Sequence, residues 1–95
     1  MDHVDKLAEA SVKEAIKTLV AAGERPYSQN VPRDARQLLL EKGRGRISQS
    51  AGEKRVLDAI WRLKERKEIK APTSPHGDWA IVDRSRPSDA GSQSV

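Results

Sequence analysis

A mainly α-helical fold closed by a small β-hairpin is the class this sequence predicts. Apolar residues recur at three- and four-residue steps in three separate stretches, Gly or Pro punctuates the ground between them, and two short extended runs flank a Pro/Gly-rich turn further on. At 95 residues, 36% hydrophobic and 34% charged, the chain suits one small domain and leaves no room for a second. It has no Cys, which excludes a disulfide framework or a thiolate metal site and makes a reducing, cytoplasmic setting the expectation. The longest apolar run, Leu19 to Ala22, falls far short of the roughly 20 residues of a membrane span. The N-terminus also lacks the basic-then-apolar order of a signal peptide.

The first helix is predicted over Asp2 to Ala22. Val4, Leu7, Ala8, Val12, Ala15, Ile16 and Leu19 form one stripe, with Lys6, Glu9, Lys13, Glu14 and Lys17 between them. Asp2 is the expected N-cap and Gly23 the expected left-handed C-cap. Glu24 to Asn30 reads as a connector. A second helix follows from Val31 to about Lys42, with Pro32 in its first turn and a short stripe of Val31, Ala35, Leu38, Leu39 and Leu40. Gly43 supplies its stop, and Gly43-Arg44-Gly45-Arg46 is a flexible basic loop.

Ser50-Ala51-Gly52-Glu53 matches a capping box, so the third helix is expected to begin near Ala51. Val56, Leu57, Ile60 and Leu63 make its core face, while Arg55, Asp58, Arg62 and Glu65 make its wet face. Ile69 to Pro72 and Asp78 to Val82 are the two extended runs of the hairpin. From Asp83 the chain is rich in Ser and Pro and poor in apolar residues, and is expected to be disordered.

The net charge of +4 is unevenly placed. Residues up to Gly23 sum to −1, Glu24 to Lys70 to +6, and the rest to −1. A basic excess confined to the middle points to a polyanion, most often nucleic acid, although a merely solvated charged surface gives the same pattern. Catalysis is not expected. His3 and His76 have no partner at ligand or triad spacing, and no phosphate-cradling or dinucleotide-binding motif occurs. No cofactor and no metal are expected.

Ile47-Ser48-Gln49-Ser50 leads into a helix, Leu57, Ile60 and Leu63 run to an exit at Glu65-Arg66-Lys67-Glu68-Ile69, and Gly77-Asp78-Trp79-Ala80-Ile81-Val82 returns as a strand. In this order of elements, across Ala10 to Val82, the chain resembles the winged helix-turn-helix superfamily. The resemblance implies a winged-helix domain over residues 1–83 with a long N-terminal helix, followed by a tail at 84–95. It also implies that the third helix enters the major groove of double-stranded DNA while the wing lies along the backbone. The connection from Gly43 to Gln49 is longer than the tight turn of the simplest members.

On that reading the DNA-binding residues are Arg44, Arg46, Ser48, Gln49, Ser50, Lys54, Arg55, Arg62, Lys70 and His76. Gln49 and Arg55 are the candidates for base reading, since Gln pairs bidentately with adenine and Arg with guanine. Arg44 and Arg46 suit phosphates, and Lys70 and His76 flank the wing. Each has a plainer alternative: Ser48 and Ser50 as caps only, Arg55 and Arg62 as ion-pair partners of Asp58, and Arg44 and Arg46 as solubilising residues. Trp61 and Trp79 are expected in the core or at its edge. The expected function is transcriptional or replication regulation without a small-molecule ligand, with a homodimer through the N-terminal helix as a further expectation. The alternative is a protein-interaction module of the same fold, and an RNA-binding or architectural role ranks below both.

Overall fold

The computed structural model describes residues 3–74 and 77–82. Expectations for Asp2, His76 and residues 83–95 lie outside them. Three helices, α1 (His3–Ala21), α2 (Asn30–Gly43) and α3 (Gln49–Glu65), pack against one another and are followed by strands β1 (Ile69–Lys70) and β2 (Ala80–Ile81). Among the described residues no helix is long and apolar enough to cross a membrane.

Helix α1 keeps its predicted stripe, with Ala8, Val12, Ala15, Ile16 and Leu19 buried. It ends as expected at Gly23, φ +77°, where the Gly23 N–H donates to the Val20 carbonyl at 3.0 Å and the Glu24 N–H to Leu19 at 2.8 Å. This paired closure satisfies two carbonyls the helix would otherwise leave open. Buried Asn30 then shapes the connector: its Oδ1 accepts the Tyr27 N–H at 2.8 Å and its Nδ2 donates to the Arg25 carbonyl at 2.6 Å.

Helix α2 buries Val31, Ala35 and Leu39. It runs through Gly43 rather than stopping there, and the left-handed residue is Arg44, φ 51°. Helix α3 begins earlier than the capping box implies. Its N-cap is Ser48, whose hydroxyl accepts the Ala51 N–H at 3.2 Å. Ile47, packed against the core just before it, fixes where the helix can start.

The buried face of α3 is Gly52, Val56, Ala59, Ile60 and Leu63. Two large apolar residues assigned inward therefore point out: Leu57 is 51% exposed and Trp61 59% exposed. The reason is how closely the helices approach. A Cβ on Gly52 would sit 3.1 Å from Leu40 Cδ2 on α2, and Ala59 is completely buried, so small residues share the inner face with Val56, Ile60 and Leu63 and centre it away from Leu57 and Trp61.

At the exit, Lys67 takes φ +60°, its N–H donating to Lys64 and the Glu68 N–H to Leu63, the same closure as at Gly23. The reversal drives Ile69 into the core, 2% exposed. Strands β1 and β2 pair antiparallel with Ile69 opposite Ile81 and Lys70 opposite Ala80, and the Val82 N–H donates to the Glu68 carbonyl at 2.9 Å. The returning chain also binds the α1–α2 connector. The Trp79 N–H donates to the Pro26 carbonyl at 2.7 Å, Tyr27 bridges Asp78, and Arg25 Nε donates to Asp78 Oδ1 at 2.9 Å. Trp79 packs against the core as expected.

A left-handed conformation costs a residue with a Cβ roughly 1–2 kcal/mol and glycine almost nothing. Lys67→Gly is therefore expected to stabilise the domain by about 1 kcal/mol, seen as a raised midpoint in chemical or thermal unfolding. An unchanged or lowered midpoint would mean that the exit does not need this turn.

Candidate nucleic-acid interface

The basic residues of the middle segment divide into two groups. In the first, the cations face carboxylates. Arg55 Nη1 donates to Asp5 Oδ1 at 2.7 Å, and Arg62 Nε donates to Glu9 Oε2 at 2.8 Å. Arg66 binds both Glu9 and Glu68, and Glu68 also accepts from Lys13 Nζ. These contacts form one chain of charges running along the junction of α1 with α3 and the start of the hairpin. Arg25, Arg33, Arg36 and Lys42 pair with Asp78, Asp34, Glu53 and Glu14.

This corrects the assignment of Arg55 and Arg62 to an outer, wet face. Both are half-buried and reach α1, not Asp58. A guanidinium held at hydrogen-bond distance by a carboxylate of its own chain is a poor candidate for guanine. Asp5, Glu9 and Glu68, the carboxylates that hold these cations, are not among the candidates the sequence offers. Their one local sign was the four-residue spacing of Asp5, Glu9 and Lys13, which sets them on one edge of the α1 stripe.

The second group comprises Arg44, Arg46, Lys54, Lys64, Lys67 and Lys70. All are exposed, and none forms an ion pair with a described residue. Arg44 and Arg46 lie on the α2–α3 connection, and Lys54 follows in the second turn of α3. The connection is a pair of turns, with the Arg44 N–H donating to Glu41 and the Arg46 N–H to Gly43. It is pinned by Ile47, whose side chain fills the space a Cβ on Gly43 would need, 2.6 Å from Cδ1. Arg44 and Arg46 thus flank an open cleft of about 330 Å³ floored by Val4, Leu7 and Ile47. Gln49 and Ser50 are exposed in the first turn of α3 beside them.

Of the ten sequence-predicted residues, Arg44, Arg46, Ser48, Gln49, Ser50 and Lys54 are all exposed, on the α2–α3 connection and the first two turns of α3. Ser48 is engaged as the helix cap, with its Oγ 3.5 Å from that of Ser50. Arg55 and Arg62 are drawn away to α1, and Lys70 stands exposed on β1. His76 lies outside the described residues. Among the described residues no group of three or more His, Asp or Glu is arranged to hold a metal ion. Comparison with family models, curated proteins and solved structures finds no match to this chain.

Burial raises the pKa of the Glu9 carboxyl, but hydrogen bonds from Arg66 and Arg62 outweigh it and hold the group below its ordinary value of 4.5. Glu68 is likewise lowered, chiefly by Lys13 and then by Arg66 against some burial. Carboxylates depressed in the folded state add stability that is present above their ordinary value and lost as pH falls through the folded one. Melting temperature is thus expected to be flat from neutral pH to about 5 and to fall below that. Glu9→Gln should cost about 1–2 kcal/mol at neutral pH, since the carboxylate is buried but Arg62 and Arg66 keep 28% and 41% of their side chains exposed. The gap between wild type and variant should narrow at acid pH. A constant gap would show that this carboxylate is not what the network rests on.

Proposed function

We propose that this chain binds double-stranded DNA as a small regulator of transcription or replication. The first turns of α3 would meet the groove and the α2–α3 connection the phosphates. The observation that carries the reading is the segregation of cations: seven in the middle segment are matched to carboxylates, while Arg44 and Arg46, exposed on the connection that leads into the polar start of α3, and Lys54 in its second turn have no ion pair with a described residue. Unneutralised positive charge next to short polar side chains and helix N–H groups is what phosphate contact requires.

The order of elements supports a winged helix-turn-helix arrangement for this role. Support also comes from the connector pairing with the returning strand, which seats the hairpin beside the bundle. Base reading then rests on Gln49, with Ser50 and Lys54 beside it, and not on Arg55. Lys70 on β1 would contribute a backbone contact from the wing.

A second reading, a protein-interaction module of the same fold, has its own observation in the exposure of Leu57 and Trp61 on α3. Binding to a randomised duplex pool at graded salt separates the two. The DNA reading expects a recoverable motif and a steep salt dependence. Replacing both Arg44 and Arg46 by Ala should weaken every duplex alike and reduce the slope of log affinity against log salt by about 2, close to one per lost phosphate contact. Gln49→Ala should relax one base position at a cost of about 1–3 kcal/mol in discrimination. Absence of any shift for the wild type rejects the DNA reading and leaves the protein-interaction one.

A further inference from the structure

We infer that the exposed face of α3 is a self-association surface on which a second copy of this chain packs antiparallel. Leu57 and Trp61 are one helical turn apart and more than half exposed, an uncommon position for a Leu and a Trp on one helix face. Four exposed charges border them. Helical geometry at about 100° per residue sets Glu53 and Lys64 along one side of the Leu57–Trp61 line, and Lys54 and Glu65 along the other. Each side therefore carries one acid and one base at opposite ends, and the order on one side is the reverse of that on the other. Glu53 also lies 4.0 Å from Arg36, a long contact that leaves its side chain 62% exposed.

That pattern is self-complementary under a two-fold axis. When two α3 helices run antiparallel and meet face to face, each side of one helix lies along the same side of the other with its direction reversed. If the axis passes level with Ala59, Leu57 of each copy meets Trp61 of the other. Glu53 then comes level with Lys64 of the second copy to within one residue, and Lys54 with Glu65. Both rows of charge match at once, giving four opposite-charge contacts around an apolar centre of two Leu and two Trp. Asp58, further round the helix, stays at the rim. Apolar contact and charge order select the same occupant, a second copy. The first turns of the two helices lie at the outer ends of the pair, about 30 Å apart, clear of its centre. Ser50 and Lys54 lie on this same outer face, so the pair and the DNA contact proposed for α3 are alternatives; the inference does not rest on that contact, and it puts the dimer contact on α3 instead of the N-terminal helix.

Sedimentation equilibrium of the full chain without nucleic acid tests it. At concentrations up to about 0.5 mM, a range that covers the weak affinities of small interfaces, the wild type should approach twice the 10.5 kDa chain mass. Leu57→Ser with Trp61→Ser should remain at the single-chain mass, with circular dichroism and melting close to wild type because both residues are exposed. Glu53→Lys alone and Lys64→Glu alone should each weaken association about tenfold, and the double variant carrying both should restore it. In a parallel pair Glu53 would instead face Lys54 of the other copy, and the double swap would not restore association. A wild type at single-chain mass throughout, or a pair indifferent to the swap, overturns the proposal.

Discussion

The carboxylate of Glu9 is the constraint around which this small domain is arranged. It is 8% exposed in the middle of α1, too far from water to be left charged without partners, and it has them only because Arg62 and Arg66 reach it from the last turns of α3. The position of α3 along α1 is thereby set: Arg55 falls opposite Asp5, one turn below, and Glu68 falls opposite Lys13, one turn above. Apolar packing alone leaves such a helix pair free to slide, because Val, Leu and Ala side chains fit several offsets almost equally. A row of directional charge contacts does not. The same row fixes the surface chemistry, since arginines held here are withheld from any external partner.

Local pattern made the helices legible almost to the residue, because each lies with one face on a shared core and so repeats with the helical period. The hairpin was legible for a similar reason: Ile69 and Ile81 each need cover, and the Pro/Gly-rich stretch between them allows a reversal. Faces were harder. Val56, Ile60 and Leu63 of α3 lie inside as their spacing implies, but bulk misplaces Leu57 and Trp61, because close helix contact favours small residues and Gly52 and Ala59 take inner positions. The capping box at Ser50 was a true local match that lost to Ser48, because Ile47 needs to reach the core before the helix can begin.

The candidate interface was half legible for a different reason. A count of charge along the chain correctly finds the basic middle, but it cannot distinguish a cation facing solvent from one facing a carboxylate some 50 residues away. Arg55 and Asp5 are separated by that much sequence, and no periodicity links them. Arg44 and Arg46 escaped the ambiguity because Gly43 and Gly45 mark a turn in the sequence itself, and both arginines stand exposed in it with no ion pair to a described residue.

The hydrogen bond from the Trp79 amide to the Pro26 carbonyl has a temporal side as well as a spatial one. It joins two points more than half the chain apart, and the later of them is the last to leave a ribosome. The mutual contacts of α1, α2 and α3 and the arginine pairs along α1 are complete once Glu68 has emerged, so a nascent chain can assemble the bundle while the returning strand, with Asp78 for Arg25, is still being made. The strand then arrives at a connector that Asn30 already braces on either side of Pro26, at the Arg25 carbonyl and the Tyr27 N–H, and adds to a formed surface instead of having to organise one. For a protein that would carry an uncovered basic end, early neutralisation of the interior arginines limits how much positive charge the growing chain presents to the RNA around it.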